Sequence, residues 1–299
     1  MTWQERVLTF GPENTLTGVL TRPIDGGSAA PAFLLLNAGL LHHTGPARLH
    51  VRLARKLAAM GVSTLRFDLP GVGDSPSPTA STGADNDIAQ AVLAGIEALA
   101  RATGSPTCIA GGLCSAADNA FRAALVNDRV VGLFQLDPWA HPTRRFYWRR
   151  FAPAIMAPET WWRILSGKLN ARRVWQSIPG NEPGEQAGSE GINPNDRPFP
   201  PREWIADGYR QLLQRGVRVL AIFSGGRWSY YNYEGQLREA YPEASLGDTV
   251  EEQFVPEADH LFTSEVHQGR VIEAALRFAQ SLGSTAPVRD SRQPATPGT

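Results

Sequence analysis

The feature that most constrains the fold of this chain is a regular alternation of short apolar runs with segments of helical periodicity. The apolar run at 32–36 precedes a helix-like segment at 47–60, and the run at 62–67 precedes another at 85–101. Continuous apolar runs are typical of strands buried on both faces, and strands alternating with helices indicate a parallel sheet. Further along the chain, the pattern predicts strands at 107–110, 130–136, 217–223 and 252–255, and helices at 114–126, 206–215 and 266–282. The sequence therefore predicts an α/β fold with a doubly wound, mostly parallel sheet.

Two regions depart from this alternation. Residues 7–10 and 16–20 read as short strands joined by Gly-Pro-Glu-Asn, which predicts a hairpin at an antiparallel edge of the sheet. Between 138 and 201 the alternation stops for longer than a plain loop of a compact domain allows. We interpret 138–201 as an inserted lid, mainly helical up to about Trp175.

The rest of the chain is assigned to a core domain and a C-terminal tail. Residues 1–137 and 202–282 form the core, and the tail at 283–299 is expected to be disordered because it has almost no apolar residues. Within the lid, 179–201 is rich in Gly, Pro, Asn and Glu and is expected to be loop or partly disordered.

Composition excludes several classes of function. The net charge of the 299 residues is zero, so nothing global indicates a nucleic-acid or membrane partner. No apolar run approaches the ~18 residues of a membrane span, and no signal peptide is visible. Two cysteines argue against a disulfide scaffold, and a reactive thiol would suit the cytoplasm, where we expect the protein. No cofactor and no metal ligand set is indicated.

A strand, a sharp turn and a helix meet at Gly112-Leu113-Cys114-Ser115-Ala116. This is the context of a nucleophile elbow, in which the residues two before and two after the nucleophile must be small. Gly112 and Ala116 satisfy the rule for Cys114, whereas Leu113 would crowd an elbow centred on Ser115. We therefore predict Cys114 as the nucleophile. The alternative is that Cys114 is an ordinary buried cysteine, which is the interpretation we give to Cys108 in the preceding strand.

A cysteine nucleophile needs a base, and His260 follows the last predicted strand, where the histidine of elbow-containing chains lies. It would raise the thiolate fraction of Cys114 and later protonate the leaving group. In such chains the acid follows one of the two strands before the histidine strand. The expected carboxylate near Arg227 is absent, so we choose Asp137, which follows the strand at 130–136, with Glu234 as the alternative. Asp259 is expected to structure the histidine loop.

Two backbone N–H groups are candidates for an oxyanion hole, those of Ser115 and Leu40. Leu40 lies in the loop that follows the strand at 32–36. In that loop His42 and His43 could line a substrate pocket or only decorate the surface. Further pocket candidates are aromatic: Trp139, Trp228 and Tyr230. The Gly-rich turn at 68–75 lacks the spacing of a phosphate-binding loop and is expected to be structural.

Taken in order, four segments resemble the α/β-hydrolase superfamily over roughly residues 5 to 282. They are Asn37-Ala38-Gly39, the segment 65–75, Gly112 to Ala116, and Ala258-Asp259-His260. The Gly-Leu-Cys-Ser form is similar to a cysteine-nucleophile branch that includes exosortase-associated hydrolases and hydrolases or acyltransferases of natural-product pathways. The resemblance implies an α/β-hydrolase fold with a Cys-His-Asp triad. The usual His-Gly is replaced by Asn37-Ala38-Gly39, and the usual acid near Arg227 is missing.

The chemistry of the thiol and the charge of the lid favour acyl transfer. A thiolate exchanges readily with a thioester because the attacking and leaving sulfurs are alike. Between 138 and 175 the net charge is +7, from eight basic residues against Glu159: Arg144, Arg145, Arg149, Arg150, Arg163, Lys168, Arg172 and Arg173. Such a surface would attract a carboxylate, coenzyme A or an acidic carrier protein, or it is a solvated helical face.

Three functions remain open at this point. The first is a cysteine-dependent acyltransferase or thioesterase with an acyl-Cys114 intermediate, acting in a biosynthetic pathway. The second is an ester or lactone hydrolase of the dienelactone type. The third is a non-catalytic member of the fold that only binds a partner.

Overall fold

One eight-stranded sheet forms the centre of the described structure. The computed structural model describes residues 2–26, 31–159, 162, 166, 199–227 and 230–283. In chain order the strands are β1 (Trp3–Phe10), β2 (Leu16–Pro23), β3 (Ala32–Leu36), β4 (Thr64–Phe67), β5 (Cys108–Leu113), β6 (Val130–Leu136), β7 (Arg218–Ser224) and β8 (Val250–Val255). Their spatial order is β1-β2-β4-β3-β5-β6-β7-β8.

The pairing directions confirm the predicted sheet. β1 and β2 form an antiparallel hairpin, and β2 pairs antiparallel with β4. All remaining pairs, from β4 through β3, β5, β6 and β7 to β8, are parallel. Because parallel strands share their carboxyl ends, the residues that follow β5, β6, β7 and β8 lie along one edge.

The helices form two groups by their contacts. The helices of at least five residues are α1 (Leu49–Ala59), α2 (Ala84–Thr103), α3 (Ser115–Val126), α4 (Arg144–Met156), α5 (Arg202–Gln214), α6 (Gln236–Ala240) and α7 (Glu265–Gly283). α1 contacts α7, while α3 contacts both α2 and α5. This arrangement of helices around a mostly parallel sheet is the doubly wound architecture that the sequence predicts. In the described part of the chain, no helix is long and apolar enough to cross a membrane.

Several element boundaries differ from the sequence prediction: β1 begins at Trp3, four residues before the predicted start, and β2 continues to Pro23. β5 continues to Leu113 rather than ending at Ala110, because Gly111 and Gly112 remain paired with β6 instead of forming a turn. α5 begins at Arg202, four residues before the predicted start. Only part of the predicted lid is described, and its helix there is α4. The predictions for 179–201 and 283–299 concern mostly residues outside the described structure.

A buried histidine makes the stability of this fold depend on pH. His50, on α1, is 1% exposed, and burial lowers its pKa to about 4. An unfolded histidine has a pKa of about 6.5, so below that pH the unfolded chain binds a proton that the folded chain does not. Stability is therefore retained above about pH 6.5 and lost as the pH falls towards 4.

We expect the His50→Leu variant to lose part of this pH dependence. Between about pH 4.5 and 6, its unfolding free energy should fall less steeply than that of the wild type, by about 1.4 kcal/mol per pH unit, the contribution of one proton. Urea unfolding at several pH values measures both slopes. His141, whose pKa burial also lowers to about 4, should preserve a residual slope in the variant. Parallel slopes in the two proteins would contradict the prediction.

Candidate active site

Cys114 stands at a strained turn between β5 and α3. Its backbone has φ 58° and ψ −120°, and the helix begins at the next residue, Ser115. The Cys114 N–H donates to the carbonyl oxygen of Leu136 on the neighbouring strand at 2.8 Å. A positive φ costs a non-glycine residue about 1–3 kcal/mol, and such strain persists where the surroundings enforce it. The thiol is thus carried on a fixed backbone at the carboxyl edge of the sheet.

The small residues around Cys114 are required by close contacts. A Cβ atom at Gly112 would overlap the Cβ of Ala116 and the carbonyl oxygen of Leu36. Leu113 is fully buried in the core, so it could not serve as the small residue before an elbow centred on Ser115. The packing therefore explains why Cys114, and not its neighbour, occupies the turn.

Asp137 and His260 meet at the same edge. Asp137 directly follows β6, is completely buried, and accepts a hydrogen bond from Nδ1 of His260 on its Oδ2 at 2.6 Å. Asp137 also has a positive φ of 48°. The side chain of His260 is 25% exposed. A carboxylate on Nδ1 orients the imidazole so that Nε2 is the nitrogen that would exchange a proton with a nucleophile.

Ser224, which the sequence analysis did not identify, holds Asp137 in place. It is the last residue of β7 and is completely buried. Its backbone N–H donates to Asp137 Oδ1, and its hydroxyl donates to Asp137 Oδ2, both at 2.7 Å. The Asp137 carboxyl group therefore accepts hydrogen bonds from the Ser224 N–H, the Ser224 hydroxyl and His260, which fix its position. No local sequence pattern marks Ser224, because the contact depends on the register between β6 and β7.

The turn after β7 has no room for the carboxylate that the resemblance leads one to expect there. The Gly226 N–H donates to the carbonyl of Ala258 at 3.0 Å, and a Cβ at Gly226 would overlap the backbone of His260. The histidine loop therefore occupies the space that a side chain after β7 would need. Glu234, the alternative acid, is exposed. The Asp259 carboxylate accepts hydrogen bonds from Leu261 and Thr263 within its own loop, as expected for a residue that stabilises the loop.

A side-chain hydrogen bond joins Ser115, one candidate oxyanion donor, to the loop that carries the other, Leu40. Ser115 Oγ accepts a hydrogen bond from the Gly39 N–H at 2.9 Å, which ties the loop after β3 to the elbow. Asn37 stabilises the same loop, since its amide donates to the Gly39 carbonyl and its oxygen accepts from the Leu69 N–H. Leu40, next to Gly39, is 90% exposed. The structure thus brings the loop of Leu40 to the N-terminus of α3, where Ser115 lies.

The candidate pocket residues have different surroundings. His43 is 4% exposed and pairs with Asp68, at 2.7 Å from Nδ1 to Oδ2, whereas the side chain of His42 is 40% exposed. Burial alone would raise the pKa of Asp68, but hydrogen bonds from His43 and Asp74 hold it below its usual value. Trp139 is buried.

The aromatic pocket candidates that the structure describes are buried and have defined contacts. Trp139 packs edge-on against Phe121 and Trp204. Tyr230 is buried, and its hydroxyl donates to the backbone carbonyl of Asp137 at 3.2 Å, so it helps to fix the backbone there. Trp228 lies outside the described residues.

The two thiols should differ sharply in reactivity. Cys108 is 3% exposed, and burial raises the pKa of its thiol to about 12. Because only the thiolate is nucleophilic, we expect iodoacetamide at pH 7.5 to modify one cysteine per folded chain, Cys114. Intact mass and peptide mapping measure the modification. A Cys108→Ala variant should be alkylated at the same rate as the wild type, and preferential labelling of Cys108 would contradict the prediction.

Comparisons with known proteins bear on the fold. No protein-family model and no curated protein sequence matches this chain. Among solved structures, it is similar to a cold-adapted esterase from an Arctic intertidal metagenomic library, with 12% identity, a TM-score of 0.55, and 94% and 95% of the two chains covered. An esterase of Pyrococcus furiosus matches with 14% identity, a TM-score of 0.55 and coverage of 94% and 91%. An α/β serine hydrolase homologue from Coxiella burnetii matches with 15% identity, a TM-score of 0.52 and coverage of 94% and 98%.

These similarities extend over almost the whole length of each chain. Together with the sheet order and the flanking helices, they show that this chain has the α/β-hydrolase fold. The expectation of that fold is confirmed. Because the identities are so low, they establish the fold and leave the chemistry to the residues of the site.

Proposed function

We propose that this protein is a cysteine-dependent acyltransferase or thioester hydrolase that works through an acyl-Cys114 intermediate. The observation that carries the proposal is that a cysteine with a strained backbone and an aspartate–histidine pair follow neighbouring strands at the same edge of the sheet. The Cys114 N–H donates to the carbonyl of Leu136, the last residue of β6, and Asp137, which follows Leu136, accepts a hydrogen bond from His260. A nucleophile, a base and an orienting acid at one edge form the arrangement that nucleophilic catalysis requires.

The reaction proceeds in two steps. His260 takes the proton of the Cys114 thiol, and the thiolate attacks the acyl carbonyl carbon. The resulting oxyanion is stabilised by the backbone N–H groups of Ser115 and Leu40. The carbon–sulfur bond to the leaving thiolate then breaks, and the imidazolium of His260 protonates that thiolate. In the second step, His260 takes a proton from water or from an amine or thiol acceptor, which attacks the acyl-Cys114 carbonyl. Collapse of this second intermediate breaks the bond between the acyl carbon and Cys114, releases the acid or the acylated acceptor, and lets the imidazolium of His260 return its proton to the thiolate.

The charge of helix α4 favours the proposal of an anionic substrate. Arg144, Arg145 and Arg149 are exposed on this helix, and Arg145 lies over the ring of Tyr233 at 4.6 Å from its centre. A group of exposed guanidinium groups attracts phosphates and carboxylates. This charge favours a thioester of coenzyme A or of an acidic carrier protein over a neutral ester.

Hydrolysis of oxygen esters is the second candidate. Two of the proteins with similar structures are esterases, which favours this candidate. A thiolate attacks oxygen esters less favourably, because the alkoxide leaving group is far more basic than the attacking sulfur. We therefore rank thioesters first and propose that oxygen esters are poorer substrates.

A panel of acyl-pantetheine thioesters tests the proposal. The wild type and a Cys114→Ala variant are incubated with each thioester at neutral pH, and intact mass and peptide mapping locate any adduct. We expect an acyl adduct on Cys114 of the wild type and none in the variant. Matched oxygen esters provide the second arm. Absence of an adduct and of thioester turnover would refute the proposal, and faster turnover of the oxygen esters would favour the second candidate.

A further inference from the structure

Four side chains that could bind a metal ion converge beside the candidate active site. His42 and His43 lie in the loop after β3, and Asp68 and Asp74 lie in the turn after β4. One donor atom from each of the four residues lies within 4.8 Å of all the others. Imidazole nitrogen and carboxylate oxygen are donors that zinc accepts. The proposed reaction uses none of these four side chains.

The distances at His42 fit a tetrahedral ion. Its Nε2 lies 3.4 Å from Asp68 Oδ2 and 3.3 Å from Asp74 Oδ2. Zinc binds such atoms at about 2.0–2.1 Å, and the edge of a tetrahedron with bonds of that length is about 3.3–3.4 Å. His42 Nε2 is therefore separated from each of the two carboxylate oxygens as two corners of a zinc coordination sphere would be, and the two oxygens lie within 4.8 Å of each other.

His43 has a different position in the cluster. Its Nδ1 lies 2.7 Å from Asp68 Oδ2, which is a hydrogen-bond distance and shorter than the edge of that tetrahedron. A ring N–H donated to a ligating carboxylate fixes the carboxylate in the way that outer partners of metal ligands do. His43 thus supports Asp68, and water would complete the coordination.

The ligand atoms are held in place before any ion binds. Asp68 Oδ1 accepts the backbone N–H of His43 at 2.6 Å, and its Oδ2 accepts the backbone N–H of Asp74 at 3.1 Å. The other nitrogen of His42, Nδ1, lies 3.4 Å from the hydroxyl of Thr44, so Nε2 faces the carboxylates. The site is also accessible, because His42 and Asp74 are 40% and 62% exposed at their side chains.

We propose that His42, Asp68 and Asp74 bind a divalent cation of the zinc class, with His43 as a supporting hydrogen-bond donor. Two carboxylates and one imidazole at these separations suit zinc better than magnesium or calcium, which require six or more oxygen ligands. The bound ion would join the loop after β3 to the turn after β4. It would therefore stabilise the loop that carries Leu40, without taking part in the acyl transfer itself.

Zinc binding to defined variants tests this inference independently of the acyl-transfer proposal. All proteins carry Cys114→Ala, so that the catalytic thiol and His260 do not form a second site. After treatment with EDTA and its removal, zinc chloride is titrated by calorimetry, and native mass spectrometry counts bound ions. The His42→Gln and Asp74→Asn variants remove exposed ligands, and Asp85→Asn removes an exposed acid of α2 outside the cluster.

The expected results are specific. The parent should bind one zinc ion, with a dissociation constant that rises at least about 100-fold in His42→Gln and Asp74→Asn and is unchanged in Asp85→Asn. Zinc should raise the melting temperature of the parent but not that of the two ligand variants. Far-UV circular dichroism without metal verifies that each variant folds. Failure of the parent to bind one ion, equal affinity in all four proteins, or tighter binding of magnesium than of zinc would overturn the inference.

Discussion

Replacing Cys114 with alanine should lower thioester turnover by about 10⁴- to 10⁶-fold, the loss expected when a covalent nucleophile is removed. Water would then have to attack the acyl carbonyl directly, with only the oxyanion donors and substrate binding left to assist. Initial rates with an acyl-pantetheine substrate, measured over a wide range of enzyme concentration, quantify the residual activity. A variant that retains more than about 1% of wild-type turnover would contradict a covalent role for Cys114.

The fold should survive this change, which makes the result interpretable. The substitution leaves the backbone N–H that bonds to Leu136 intact, and alanine is smaller than cysteine, so it introduces no overlap at the turn. A Cys114→Ser variant is the matched comparison, because it keeps a nucleophile of similar size. Serine is a weaker nucleophile than a thiolate at neutral pH, so we expect this variant to lose most thioester turnover as well. Wild-type rates in Cys114→Ser would show that the sulfur itself is unnecessary.

The second large effect is expected for Asp137→Asn. The side-chain oxygen of the introduced asparagine must face the Ser224 N–H, because that group can only donate. The side-chain NH₂ then faces His260 Nδ1. That nitrogen must then accept, and the imidazole proton moves to Nε2, where it prevents His260 from acting as a base. The corresponding change costs a serine triad about 10⁴-fold in turnover, and a thiol depends less on the acid, so we expect a loss of about 10²- to 10³-fold.

Two further variants test whether the loss of activity in Asp137→Asn comes from the role of Asp137 as the acid. Glu234→Gln changes the other acid that the sequence leaves open, and we expect wild-type kinetics because Glu234 is exposed and His260 already has Asp137 as its partner. Ser224→Ala removes one of the two hydrogen bonds from Ser224 to Asp137 and should lower kcat/KM by about 10- to 100-fold, since a hydrogen bond to a charged group contributes about 1.5–3 kcal/mol. The pH dependence of kcat/KM is the measurement. Equal losses in the Asp137 and Glu234 variants would contradict the assignment of the acid.

The sequence predicts the elements of this fold well because their signals are local. The runs that form β3 and β6 coincide with the observed strands, and the sequence around Cys114 predicts the turn that the structure contains. The acid is harder to choose, because its contact with His260 joins segments more than a hundred residues apart. Ser224 and the approach of His42 to Asp68 and Asp74 escape sequence analysis for the same reason. They depend on how strands and loops align in space.

The two glycines after β7 have a consequence for any attempt to rebuild this site. Because the backbone of 256–260 fills the room that side chains at Gly225 and Gly226 would take, the turn and the histidine loop form one interlocking unit. A carboxylate moved to the end of β7 would displace the very histidine it was meant to orient. Transplanting the site to another scaffold therefore requires the glycine pair, the histidine loop and the acid of β6 to be moved together.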